Sequence, residues 1–279
     1  MNLRTVHKPT TIDDALELLR QSHTVALAGG TALLASKRKD VQAVVDLSAL
    51  GLAYIRDKNG AIAIGATTTL AEASESPILR AIANGVAAQA AQRSAASLLR
   101  NQATVAGTLI SEPSGILAVA LAALDAQLVW RPETILHVGK RDWGSALTQL
   151  IRDGALVTAI VIPASAIGKR ASLQTVARTP RDQPIVCVGA SARMEILRPA
   201  QNDKIARGVC IALGGVAEIA VRVESGELEL EGRVWSEELI ESVARKAAQG
   251  LSPRGDYRGS GAYRQEMAAV LTRRALKEL

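Results

Sequence analysis

Apolar residues along this chain fall into two patterns, short runs ended by small or polar residues and longer stretches with helical spacing. Ile12, Ala15, Leu16 and Leu19 share one helical face, and Thr10-Thr11-Ile12-Asp13-Asp14 supplies a cap and first-turn acids. Residues 25–28 and 43–47 are short apolar runs that predict strands, with a helix beginning at 32–36 between them. Residues 54–57 and 61–65 flank Lys58-Asn59-Gly60, a hairpin signal. Thr67-Thr68-Thr69 caps a helix through Ala73, and 77–100 is alanine-rich and helical with a break near Asn84-Gly85. Residues 117–126 predict a buried helix.

Further strands are predicted at 127–130, 135–138 and 155–162, the last ended by Pro163. Residues 165–170 are small, then basic, and mark a boundary. Beyond them, 172–177, 185–194, 209–213, 217–223 and 228–230 follow at hairpin-like spacing, and helices at 236–250 and 263–279 close the chain. Strands followed by helices give an α+β class for this second part.

Two stretches carry candidate chemistry. Leu27-Ala28-Gly29-Gly30-Thr31-Ala32-Leu33 follows the first strand, and Ala103-Thr104-Val105-Ala106-Gly107-Thr108 lies far downstream. Small residues let a backbone approach a charged ligand closely and point N–H groups at phosphate oxygens. Two such loops in one domain suggest a clamp on a dinucleotide diphosphate; a tight strand-to-helix turn without ligand is the other reading of Gly29-Gly30. The Rossmann fingerprint has a different glycine spacing, although Asp46 mimics its ribose-binding acid, and no P-loop Gly-Lys-Ser/Thr is present.

Composition narrows the classes. At 279 residues the chain suits one large domain or two ordinary ones. There is no Phe, and only three Trp and three Tyr, so aliphatic walls must serve any flat ligand. The net charge of +6 comes from interspersed charges. Its densest run, Lys37-Arg38-Lys39, reads as a solvated helix end or as docking for an acidic partner. No basic stripe with aromatics indicates nucleic-acid binding. Two cysteines, Cys187 and Cys210, are too few for an iron–sulfur cluster, and His7, His23 and His137 lack metal-ligand spacing. No residue is assigned a catalytic or metal-binding role. No apolar run reaches the length of a membrane span, and the start of the chain lacks a signal peptide's apolar core, so a cytoplasmic protein is expected.

Together these landmarks resemble the FAD-binding medium subunit of molybdenum hydroxylases, the group of carbon monoxide dehydrogenase and bacterial xanthine dehydrogenase. The resemblance runs nearly end to end. It rests on 27–34, Ile64-Gly65-Ala66-Thr67-Thr68, 100–107, Arg178-Thr179-Pro180-Arg181-Asp182, and Tyr263-Arg264 with Arg274-Ala275-Leu276. It implies a two-part FAD-binding domain of the vanillyl-alcohol-oxidase/PCMH type over 1–167, with subdomains of about 1–56 and 57–167. A smaller α+β domain of the CO dehydrogenase flavoprotein type, an antiparallel sheet with helices, follows over 168–279.

The resemblance further implies FAD held by Leu27, Ala28, Gly29, Gly30, Thr31, Ala32, Leu33, Ala103, Thr104, Ala106, Gly107 and Thr108, each loop donating backbone N–H groups. Electrons would pass from iron–sulfur clusters on a small partner subunit, fed by a large molybdopterin-binding subunit, to an external acceptor. Three positions depart from the family pattern. Ala106 stands for a glycine, which requires a negative φ. Ile116 stands where the family has an acid that helps hold the flavin's sugar-alcohol chain, which implies weaker FAD retention. Gln174 lies near a lysine of some members. Two other classes compete: a flavin-poor homologue acting as scaffold or assembly component, and a stand-alone oxidase, which would need a base that the sequence does not show.

Overall fold

The computed structural model describes residues 2–132, 134–140, 143–179, 182–198 and 203–279. Pro180 and Arg181 of the fourth landmark lie outside them.

The chain forms three sheets in succession. The first lobe comprises β1 (Thr5–His7), α1 (Ile12–Leu19), β2 (Thr24–Leu27), α2 (Thr31–Ala35) and β3 (Ala43–Asp46), and its sheet has the order β1-β3-β2 with both pairings parallel. The Thr11 side chain accepts from the Asp14 amide and starts α1, which buries Ala15 and Leu16 against Val45, Leu47 and Leu156. The Rossmann-like acid proves local. The Asp46 carboxylate accepts from the Ser48 amide and caps a short turn.

The second lobe begins with β4 (Ile55–Lys58) and β5 (Ala61–Gly65), which pair antiparallel through Asn59 and Gly60, both at positive φ. β4 therefore crosses the anticipated subdivision near residue 57. Helices α3 (Leu70–Glu75), α4 (Pro77–Ala81), α5 (Val86–Arg93), α6 (Ser97–Arg100), α7 (Val105–Ser111) and α8 (Ile116–Ala123) follow. Then come β6 (Gln127–Arg131), β7 (Thr134–His137), α9 (Trp143–Arg152) and β8 (Leu156–Ile162), completing a sheet of order β4-β5-β8-β6-β7. The break expected near Asn84-Gly85 is real: Ala83, Asn84 and Gly85 all have positive φ. Thr69 caps α3 in a reciprocal capping box with Glu72.

The third part holds β9 (Arg170–Val176), β10 (Val186–Arg198), β11 (Asp203–Gly214) and β12 (Val221–Arg222), all antiparallel in the order β12-β11-β10-β9. Helices α10 (Glu224–Leu230), α11 (Glu237–Ala248) and α12 (Gly261–Lys277) complete it. Here the pattern misled at two places: of 217–223 only Val221–Arg222 form a strand, and 228–230 form none. Residues 228–230 are the end of α10, because Glu227 turns inward to accept from the Ile211 amide and pair with Arg222. Thr5–His7 and Trp143–Arg152 are elements that the hydrophobic pattern did not mark.

α8 is the central element. Every one of its residues is buried. Gly189 and Gly214 let β10 and β11 approach it, since a Cβ on either would press on Val119. The Ser191 hydroxyl donates to the Ala123 carbonyl at 2.6 Å. The main core accordingly runs from the second lobe into Ala171, Cys187, Ala212 and Ala220, while the far face of the third sheet packs on α11 and α12. No single helix among the described residues is long and apolar enough to cross a membrane; α7 and α8 would pass by length and composition only as a pair bent by 107°.

Candidate functional site

The first loop begins where β2 ends. Gly30 turns the chain at φ 71° and caps α2 without a side-chain hydrogen bond. A helix start leaves its first four N–H groups without partners inside the helix. Here the amides of Gly30, Thr31, Ala32 and Leu33 donate to none of the described residues, and the next bond is Leu34 N–H to the Gly30 carbonyl at 2.9 Å. None of the five residues of α2 is buried. Four donors and a helix start are thus held open.

The second loop is built differently. Thr104 caps α7, its side chain accepting from the Gly107 amide at 3.2 Å. Val105 N–H donates to the Thr68 carbonyl at 2.8 Å, and Ala106 N–H to Ala66 at 3.3 Å. Thr108 N–H donates to the Thr104 carbonyl, Ala103 N–H to Leu99, and Leu70 N–H to the Ala103 carbonyl. Ala103, Thr104, Val105, Ala106 and Thr108 are all buried. The amides of Val105 and Ala106 are thus taken up in clasping the loop to the segment before α3, and those of Ala103, Gly107 and Thr108 in bonds to Leu99 and Thr104, while the Thr104 amide donates to none of the described residues. Ala106 sits inside α7, so the departure from glycine carries no backbone strain.

The two loops touch. A Cβ built on Gly29 would overlap the carbonyl oxygen of Gln102. Gly29 is thus required by loop-to-loop contact in addition to any ligand. Between them lies a cavity of about 300 Å³. Ala28, Gly29, Gly30, Thr31, Ala32 and Leu33 line one side, and Thr104, Ala106, Gly107, Ile110 and Ser111 another. Leu19, Leu47, Ile151, Leu156 and Val157 add an aliphatic wall. Leu27, Ala103 and Thr108, also expected at the site, stand behind this lining. Arg38 reaches the cavity as well, which its reading as a solvated helix end did not anticipate. Its guanidinium binds the Asp40 carboxylate in a two-point pair, which holds that carboxyl below its usual range.

A larger cleft, about 670 Å³, opens beside the cavity and shares Ser111 with it. The α7–α8 connection (Glu112, Pro113, Ser114, Gly115) and Ile116 form one wall; Gln183, Arg258 and Arg264 of the third part form the other. Arg264 is 3% exposed and donates to the carbonyls of Ile185 and Gly215 and to Asp256 at 2.6–2.7 Å. Burial works against the ionised Asp256, but the bonds from Arg264 and Arg258 prevail and hold its carboxyl well below the usual range. Among the described residues no three His, Cys, Asp or Glu are grouped to hold a metal ion. Cys187 and Cys210 are free and buried, and burial pushes the Cys187 thiol up to about 12.

Residues 2–165 match the family model of the FAD-binding domain in molybdopterin dehydrogenase. The chain belongs to this family. Residues 171–279 match a second model, the CO dehydrogenase flavoprotein C-terminal domain. The carbon monoxide dehydrogenase medium chain of Hydrogenophaga pseudoflava is 27% identical, over 97% of this chain and 94% of its own. The glyceraldehyde dehydrogenase medium chain of Sulfolobus acidocaldarius is 25% identical, over 96% and 95%. Reconstituted CO dehydrogenase from Oligotropha carboxidovorans superposes with a TM-score of 0.86 at 25% identity, covering 98% of this chain and 96% of that one. The chain is a medium subunit of the molybdenum-hydroxylase type, an oxidoreductase component whose cofactor is FAD.

The residues present fit that cofactor. Four open amides at a helix start suit a diphosphate. The aliphatic wall suits a flat base in a chain poor in aromatics. The adjoining cleft gives the remainder of an extended ligand somewhere to lie, and both volumes are in the range of small-molecule sites.

Proposed function

We propose that the chain is the electron-relay subunit of its complex. It takes electrons from iron–sulfur clusters on a small partner subunit, which a large molybdopterin-binding subunit feeds, and passes them to an external acceptor. Bound FAD supplies the redox chemistry. The chain's own residues bind and orient it: Gly30, Thr31, Ala32 and Leu33 by open amides, Leu27, Ala28 and Gly29 by shaping the turn. Ala103, Thr104, Ala106, Gly107 and Thr108 complete the site as a rigid opposing wall. Residues 1–167 serve as the FAD-binding domain and 168–279 as the C-terminal domain, in a cytoplasmic assembly.

One observation carries the reading: the residues whose first-turn amides donate to no described residue line, with both loops, a single cavity. With two buried cysteines in the whole sequence, clusters must come from elsewhere. The test compares the chain alone with the chain co-purified with its partner subunits. The complex is expected to bleach its flavin absorbance when its substrate is added. The isolated chain, loaded with FAD, is expected not to oxidise that substrate. Turnover by the isolated chain without molybdenum or iron would overturn the proposal in favour of a stand-alone oxidase.

A further inference from the structure

We propose that Glu112 holds the hydroxyl-bearing sugar-alcohol chain of FAD in the wall of the larger cleft, a role that the sequence pattern assigns to no residue present here. The inference rests on the FAD reading above and deepens it.

The path of the ligand follows from its own chemistry. In FAD the sugar-alcohol chain lies between the diphosphate and the flavin ring. With the diphosphate on the open amides of Gly30–Leu33, a ligand leaving the 300 Å³ cavity for the 670 Å³ cleft passes Ser111, the one residue among those described that lines both. The next residue is Glu112. Its carboxylate is half-used. Oε1 accepts from Gln183 Nε2 at 2.9 Å, which fixes the side chain against the opposite wall. Oε2 accepts nothing from the described residues and is open to the cleft. Gly115 leaves room for it: a Cβ there would lie 3.3 Å from Oε2.

Oε2 is hydrated while the cleft is empty, and a ligand that displaces its water must donate to it in return. Burial pushes the Glu112 carboxyl above its usual range, against the pull of Gln183 and the more distant Arg258. Hydroxyl groups of a bound sugar-alcohol chain are donors that would satisfy Oε2. Ile116 cannot be read as a simple vacancy for the acid. It is 3% exposed at the start of α8 and packs in the main core, so a carboxylate there would exchange packing for an unpaired buried charge.

The experiment measures equilibrium binding of FAD and of ADP to the full chain, wild type and variants. ADP carries the diphosphate end but no sugar-alcohol chain. Glu112→Gln should weaken FAD by about ten- to a hundredfold, the range for a hydrogen bond to a charged group, and leave ADP unchanged. Ile116→Asp should not tighten FAD. Unchanged FAD affinity in Glu112→Gln, equal loss for both ligands, or tighter FAD in Ile116→Asp would overturn the role of Glu112 while leaving the FAD reading standing. A wild-type chain that binds ADP but not FAD would overturn both.

Discussion

The two loops look alike as sequence, each a run of small residues with a threonine, yet they do opposite things with their backbones. The loop before α2 is open: it buries no residue of its helix and leaves four amides without partners. The loop before α7 is closed: Ala103 to Ala106 and Thr108 are buried, and the amides of Val105, Ala106, Gly107 and Thr108 are tied to Thr68, Ala66 and Thr104. A rigid wall facing an open row of donors is a preorganised clamp. The closed loop sets the gap, and the open loop supplies the electrostatics. Small residues therefore serve two different needs, close approach to a ligand in one case and close approach to the chain itself in the other.

The hardest break is at the point of contact. Gly29→Val drives a branched side chain into the Gln102 carbonyl and should cost about 3 kcal/mol of stability, together with FAD binding. Urea unfolding followed by flavin titration would check it; an unchanged midpoint would mean that the loops do not meet. Gly30→Ala acts only on the open loop. Holding alanine at φ 71° should cost roughly 1–2 kcal/mol and re-aim the amides of α2, so FAD weakens while the rest of the fold persists. Retained affinity in that variant would argue against those amides as the diphosphate cradle.

The smallest effect sharpens the contrast from the closed side. Ala106→Gly restores the family's glycine in α7, and should lower stability by about 0.5–1 kcal/mol without tightening FAD. The reason is that the Ala106 amide already donates to Ala66. Thermal unfolding and FAD titration on one preparation separate the two readouts, and a gain in affinity would return the second loop to the role of donor.

Much of the fold was legible in local pattern. The Thr11 and Thr69 caps, the Asn59-Gly60 hairpin, the break at Asn84-Gly85 and the buried run of α8 all follow from short-range rules, and all appear where those rules put them. Residues 228–230 did not follow. Their apolar alternation is satisfied as a helix because Glu227 and Arg222 form a partly buried pair against β11 and Asp125. Two leucines flanking a glutamate cannot distinguish the two periods. Glu112 was equally invisible, since nothing in Ser-Glu-Pro-Ser-Gly marks which carboxylate will face a cleft made from residues far away in the chain.

The sequence by itself determined most of the segments that are helix or strand, that two small-residue loops exist, and which family the landmarks resemble, because caps, turns and periodicity act over a few residues. The tertiary structure decided which loop keeps its donors free. That depends on whether another backbone lies within reach of each amide: Thr68 and Ala66 do so for the second loop, and no described residue does for the first. Hydrogen-bond partners brought together by folding, more than residue type, separate a binding loop from a structural one.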